Sequence, residues 1–287
     1  MVKLIPLILL SLFIISCSTN TESLYEKGLI ALKNKDNEKA LKFFHRACKY
    51  ENFKSCNKIA DIYKKGQIVI IDYTKVDEYY TDSYNFSLKQ CNSKSIEACR
   101  NLSYLYEFGL GVDIDYAKSD EYTLKTCNIG DGYSCHKMGK INNKDIKEYI
   151  RFTDMACSLK YPAGCSDLGN MYINGYNNAN INVNKKIDLA LKYFDAACNL
   201  SDPTCALLGD IYIAGQDIPQ NYELANKYYN ISEKYYKEQC KDMNDKDMID
   251  KNTNNKNLKY KNIDDKVRNH MACLSLDIIR NKTIDLQ

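Results

Sequence analysis

Cysteine spacing constrains this chain more than any other feature. Among its 13 cysteines, five pairs stand close in sequence: Cys48 and Cys56, Cys91 and Cys99, Cys127 and Cys135, Cys157 and Cys165, Cys198 and Cys205. Seven residues separate the partners in the first four pairs and six in the fifth. None is a CxxC, which sets aside a thioredoxin-like redox pair and a zinc knuckle. Recurrence at such intervals marks a repeat array.

Aligning the chain on the second cysteine of each pair brings other positions into register. Three residues on stand Ile59, Leu102, Met138, Leu168 and Leu208; four on stand Ala60, Ser103, Gly139, Gly169 and Gly209. Seven on stand Tyr63, Tyr106, Tyr172 and Tyr212, and ten on stand Gly66, Gly109, Gly175 and Gly215. Offsets of three, four and seven lie on one face of a helix, and a glycine after it can end the helix in a left-handed conformation. The recurrent tyrosines supply buried area in a chain without tryptophan, so they read as core. A second helix, carrying Tyr79-Tyr80, Tyr193-Phe194 or Tyr228-Tyr229, then runs into the next pair. Each unit is helix, loop, helix, and the cysteines bracket the turn between units. Four prolines and few hairpin signals argue against an all-β sandwich or barrel. The expected fold is all-α, a right-handed superhelical solenoid of αα-hairpin repeats.

Helices joined by a short turn bring Cα atoms within the roughly 7 Å that a disulfide needs. The pairs therefore predict sequential bridges, Cys48–Cys56, Cys91–Cys99, Cys127–Cys135, Cys157–Cys165 and Cys198–Cys205, with Cys240–Cys273 as a sixth across a polar insertion. Each short loop contributes roughly 2.5 kcal/mol on the chain-entropy model.

Residues 1–16 read as a signal peptide: Lys3, then an apolar run from Leu4 to Ile15, too short for the ~20 residues of a membrane-spanning helix. Ser16-Cys17 resembles the lipobox of bacterial lipoproteins, which would make Cys17 the lipidated N-terminus and leave an even twelve cysteines; ordinary cleavage is the alternative. Residues 17–22 would be a tether, 23–240 an array of about six units, 241–263 a flexible polar insertion and 264–287 a C-terminal capping helix. The unit from Ser134 to Cys157 lacks the Tyr-Gly loop and should be a shortened hairpin. Export to the periplasm, as a membrane-anchored lipoprotein, or secretion follows from these features.

The segment Cys99-Arg-Asn-Leu-Ser-Tyr-Leu-Tyr-Glu-Phe-Gly-Leu-Gly-Val, followed by Asp115-Tyr116-Ala117-Lys118, resembles the Sel-one-like repeat, a relative of the tetratricopeptide hairpin. The bracketing cysteines resemble the Helicobacter-type cysteine-rich proteins. That resemblance implies a penicillin-binding protein with slow β-lactamase activity, or a secreted factor acting on host cells. Sel-one-like arrays in general serve as protein- or peptide-binding scaffolds.

No catalytic residue can be named from the sequence itself. Two SxxK matches, Ser55 to Lys58 and Ser134 to Lys137, are what chance gives in a lysine-rich chain, and neither is followed by a KTG. Both serines stand beside a bridge cysteine at a helix start, where serine is a favoured cap. The three histidines, His45, His136 and His270, are dispersed, so neither a metal nor another cofactor is expected. A net charge of +3 is too small to imply a nucleic-acid partner, and membrane contact would come through the lipid alone.

A binding surface is the remaining possibility. Offsets of two, five and nine point away from the apolar face of each first helix, which in such stacks lines the concave side. The five-offset residues Asp61, Tyr104, Lys140, Asn170 and Asp210 are the candidates, with Lys58, Asn101, Lys137, Asp167 and Leu207 at the two-offset. Asn and Asp can bond the backbone of an extended peptide and Tyr104 offers a flat contact. The expected partner is a peptide, a protein, a cell-wall glycopeptide or a β-lactam, bound by a monomer.

Overall fold

A computed structural model describes residues 21–66, 68–178, 181–200, 203–240, 275, 278 and 279. The chain divides into two compact units, ending at Ser134 and starting at Cys135. In the first unit α1 (21–33), α2 (Asn37–Lys49), α3 (Phe53–Lys65), α4 (Tyr73–Asn92), α5 (Ile96–Phe108) and α6 (Tyr116–Asn128) follow one another, and α7 (Gly132–Ile141) begins. The second continues from α7 through α8 (Ile146–Ser158), α9 (Pro162–Asn174), α10 (Ile187–Asn199), α11 (Thr204–Ala214) and α12 (Tyr222–Cys240). The architecture is helical hairpins, with one exception. A two-stranded antiparallel ribbon, β1 (Tyr176–Asn178) and β2 (Ile181–Val183), fills the α9–α10 connection.

Several of these helices start on a polar cap. Asp36, Asn52, Asp72, Ser95, Asp115 and Asn221 each accept a backbone N–H three residues on, from Lys39, Ser55, Lys75, Ala98, Lys118 and Leu224. Gly66, Gly109 and Gly215 end α3, α5 and α11 at φ near +60°. The opposite turns, those that the cysteines bracket, also pass through the left-handed region, but at Glu51, Lys94, Lys160 and Gly130. Their N–H groups return to the carbonyls of Cys48, Cys91, Cys157 and Cys127, each at 2.9 Å. Lys35, between α1 and α2, makes the same turn at φ 61° without a cysteine.

Disulfides Cys48–Cys56, Cys91–Cys99 and Cys157–Cys165 close three of these turns, and Cys198–Cys205 joins α10 to α11, with Cα atoms 4.7 to 4.9 Å apart in all four. Cys127, Cys135 and Cys240 are also disulfide-bonded. Cys17 and Cys273 lie outside the described residues, as does the 241–263 insertion. Bridges in this number fit a protein exported from the reducing cytoplasm. Among the described residues no helix is long and apolar enough to cross a membrane.

The small residue at the four-offset is explained by what enters it. A Cβ on Gly169 would meet Phe194 at 2.5 Å and one on Gly209 would meet Tyr229 at 2.5 Å; Gly28 in α1 receives Phe44 in the same way. In each case the ring comes from the second helix of the hairpin and is almost wholly buried. Ala60 stands in one core cluster with Tyr80, and Ser103 replaces the apolar fit by a hydrogen bond with Thr123 at 2.8 Å. A ring entering a glycine hole thus recurs in three hairpins.

The seven-offset tyrosines stack. Tyr63 lies on Tyr79, Tyr106 on Tyr122, Tyr172 on Tyr193 and Tyr212 on Tyr228, with ring centroids 5.8 to 6.1 Å apart and planes within 11° of parallel. Lys75 and Lys118 sit over the outer faces of Tyr63 and Tyr106. Tyr106 and Tyr172 are buried, whereas Tyr63 and Tyr212 are half-buried.

Tyrosine hydroxyls also latch neighbouring helices. Tyr80 donates to Asp61 at 2.6 Å, Tyr229 to Asp210 at 2.6 Å, Tyr193 to Asp154 at 2.7 Å and Tyr228 to Asp195 at 2.8 Å. Burial, then the accepting carboxylate, pushes all four phenols well above the ordinary value of 10. A group whose folded value is raised contributes stability that is complete below its unfolded value and is lost as pH rises through the folded one. The urea midpoint should therefore fall progressively above pH 10. Converting all four tyrosines to Phe should flatten that fall, and an equally steep fall in that variant would rule the latches out as its cause.

Candidate peptide-binding face

The five-offset residues divide into two groups. Asp61 and Asp210 are half-buried, and each already accepts the tyrosine hydroxyl just described. Their first task is to join helices. Lys140 is exposed and pairs with Asp167, while its ammonium lies 5.8 Å from the Tyr149 ring. Asn170 is exposed on α9, its carbonyl accepting from the Asn174 amide at 2.9 Å. Tyr104 is 47% exposed.

At the two-offset, Asn101 belongs to the core and not to the face. It is 9% exposed, donates to Ser83 and Ser87 at 3.0 and 2.9 Å, and accepts from Asn57 at 2.7 Å. The serines of α4 make this position polar inside, which helical periodicity cannot distinguish from polar outside. Asp167 is held by His136 Nε2 at 2.8 Å and by Lys140. Burial alone would raise its carboxyl, but those hydrogen bonds and charges hold it below the ordinary carboxylate range. Tyr149, its own phenol pushed up to about 12 by burial and by Asp167, completes this group. It stands where the loop between α7 and α8 shrinks to residues 142–145, a hairpin with no tyrosine stack.

One residue was not singled out by register. Phe108, at the nine-offset of α5, is 54% exposed and lies against Tyr104 with centroids 4.8 Å apart and planes at 46°. The signal was present in the four-residue spacing from Tyr104, which places two rings on one outward strip. On the inward side of the same helix Leu102 and Leu105 are fully buried. The fold does not need the outward pair. Burial, followed by the charges of Asp61 and Glu107, raises the Tyr104 phenol.

Neither SxxK serine is presented as a nucleophile. Ser55 is fully buried near the start of α3, and Ser134 is 2% exposed with its hydroxyl donated to Asp131 at 2.6 Å. Asp131 also receives Arg100. Among the described residues no group of His, Cys, Asp and Glu could hold a metal ion. A recess of ≈ 320 Å³ between α1 and α2, lined by Lys27, Ile30, Lys39 and Phe43 among others, shares no residue with the face.

The Sel1 repeat profile matches residues 23–49, 96–131, 162–202 and 203–232, which takes in helices of both units. Comparison with curated proteins gave no match. Among solved structures, a Sel1 repeat protein from Oxalobacter formigenes is 22% identical over 88% of this chain and 99% of its own, with a TM-score of 0.53. A protective antigen of uropathogenic Escherichia coli displaying an SLR fold is 14% identical over 92% of this chain and 68% of its own, at a TM-score of 0.43. An immunity protein of Pseudomonas aeruginosa is 22% identical over 64% and 66%, at 0.38. With its recurring ring-into-hole hairpins and four profile matches, the chain carries Sel1 repeats.

Proposed function

We propose that this protein is an exported scaffold that holds a protein or peptide partner on the outward strip of α5. The exposed Tyr104–Phe108 pair carries this reading. Aromatic side chains are enriched at binding surfaces because they give large contact area at small conformational cost. Here two of them are left in water on a face that the core does not use. Sel1 repeat proteins commonly bind protein partners, which supports the same assignment. In this reading the N-terminal segment exports the chain, Cys17 carries the lipid, and a cell-wall glycopeptide is one form the partner could take. Hydrolysis of a β-lactam gains nothing from the burial of Ser55 or the engagement of Ser134.

Cross-linking and pull-down with the oxidised mature protein, whose intact mass also reports a lipid on Cys17, tests the proposal. Partner recovery should drop about tenfold in a Tyr104→Ala/Phe108→Ala variant, two contact residues at a little under 1 kcal/mol each. Undiminished recovery would remove this strip as the site.

A further inference from the structure

We infer that the loop between α3 and α4 takes up an extended apolar peptide segment, added as a β-strand along Ile68–Ile71. This site shares no residue with the Tyr104–Phe108 strip and does not depend on it.

Three loops of seven residues join a first helix to a second, from α3 to α4, α5 to α6 and α11 to α12, and they align residue by residue from Gly66, Gly109 and Gly215. Some exposure is common to them. Tyr73, Tyr116 and Tyr222 all stand in water as the first residue of the second helix, and Ile71 and Ile114 each fold over the terminal glycine. Those features belong to the repeat and single out no loop. Ile70 does: it is 91% exposed, where the other two loops carry Asp113 and Pro219. A charge or a proline is what proteins place on an extended edge to keep other chains from pairing with it. In the α3–α4 loop that guard is replaced by the third of four consecutive β-branched residues, Ile68-Val69-Ile70-Ile71, a composition that favours strands.

The backbone differs as well. Asp115 and Asn221 close their loops by donating N–H to the carbonyls of Tyr106 and Tyr212, both at 3.0 Å, and Lys186 donates to Tyr172 at 2.9 Å. Asp72 is the counterpart of Asp115 and makes no such bond to Tyr63; among the described residues the backbone of Ile68–Ile71 makes no hydrogen bond. The cause is local. The α5–α6 loop presses onto α4 through Gly111, at φ 66°, whose carbonyl accepts the Thr81 hydroxyl at 3.3 Å; a Cβ there would collide with the Tyr80–Thr81 backbone. Ile68 stands at that place in the α3–α4 loop, and a β-branched residue does not take a left-handed conformation without strain. Ile68 and Val69 pack instead against the core of the first hairpin, and Asp72 leaves the run in extended backbone.

The α9–α10 connection shows how an extended run at this point of the repeat is satisfied: it pairs with itself, Tyr176 opposite Val183, in the β1–β2 ribbon. The α3–α4 loop has no second strand of its own. Its unpaired amides also choose among occupants. Lipid tails offer them no hydrogen bond, and a stable dimer buries roughly 1,200 Å² or more, which one loop does not supply. An extended peptide meets both needs, with main-chain bonds along the loop and β-branched or aromatic side chains over Ile70 and Ile71.

Random dodecapeptides displayed on phage, subtracted on an Ile70→Asp variant and then panned on the oxidised full-length protein, test this. Enriched sequences should be rich in Val, Ile, Thr and aromatic residues. A synthetic copy of the strongest should bind the parent about tenfold more tightly than Ile70→Asp, and should bind Ile114→Asp and Tyr104→Ala/Phe108→Ala as tightly as the parent. N-methylation of alternate peptide amides should cost about tenfold in one register and little in the other, because only every second residue of a strand donates to a given neighbour. No enrichment, enriched peptides without such residues, or affinity that survives N-methylation in both registers would overturn the inference. So would a dimer, or adsorption to phosphatidylglycerol vesicles, that Ile70→Asp abolishes, since either gives the loop a different occupant. Circular dichroism of each variant separates loss of contact from loss of fold.

Discussion

Gly169→Ala is expected to lower stability by about 2 kcal/mol, within the range of core overpacking. In an ordinary helix interior the same change would gain roughly 0.5–1 kcal/mol by stiffening the unfolded chain. The sign therefore reports the packing. The added methyl would stand 2.5 Å from both Cδ1 and Cε1 of Phe194, about an ångström inside contact distance. Phe194 cannot swing away, since it is fully buried among Leu168, Ala190 and Leu208. Trimming the ring should restore part of the loss: Gly169→Ala/Phe194→Leu should be more stable than the sum of the single changes predicts, because the two residues share one cavity. Urea denaturation of the four proteins measures this coupling. A Gly169→Ala protein as stable as the parent would mean that the hole is not filled as described.

Reduction should have a larger effect still. The four bridges Cys48–Cys56, Cys91–Cys99, Cys157–Cys165 and Cys198–Cys205 each close a loop of about nine residues, worth roughly 2.5 kcal/mol in the chain-entropy model. Together that is about 10 kcal/mol, comparable to the entire stability of an ordinary domain. Dithiothreitol is expected to abolish most of the helical circular dichroism at 37 °C. Cys56, Cys91, Cys99 and Cys165 are fully buried, whereas Cys157 is half-buried. Reduction should begin at Cys157–Cys165 and proceed elsewhere no faster than local opening. Alkylation of the released thiols at intervals, read by peptide mass, gives the order. A reduced chain with full helicity would show that the ring-into-hole contacts suffice without the staples.

Much of the architecture was legible because the repeat writes each contact several times. The four-offset glycines, the tyrosines at seven and the terminal glycines at ten all occupy the places their spacing implied, since helical periodicity fixes which residues share a face. What lay between helices was less legible. Nothing in a single helix says that Tyr80 reaches Asp61, although the same 19-residue interval recurs at Asp210 and Tyr229. Asn101 sits where outward residues should sit, yet α4 brings Ser83 and Ser87 against it and makes the inside polar. The β1–β2 ribbon was also missed, because three-residue strands in an Asn-rich stretch lack the alternation that marks a hairpin.

The left-handed turns at Glu51, Lys94 and Lys160 bear on how the thiols find one another. Lys35 shows that this turn closes with no sulfur in it, so its shape is set by backbone hydrogen bonds across a few residues. Oxidative folding can then proceed at low contact order. Cys56 finds Cys48 eight residues away, while the next competing thiol, Cys91, lies 35 residues off. Closing the longer ring costs about 1.3 kcal/mol more, close to a tenfold bias, before any helix packs. In a chain with many possible pairings, correct register is thus decided hairpin by hairpin, with no need to wait for the array to be complete.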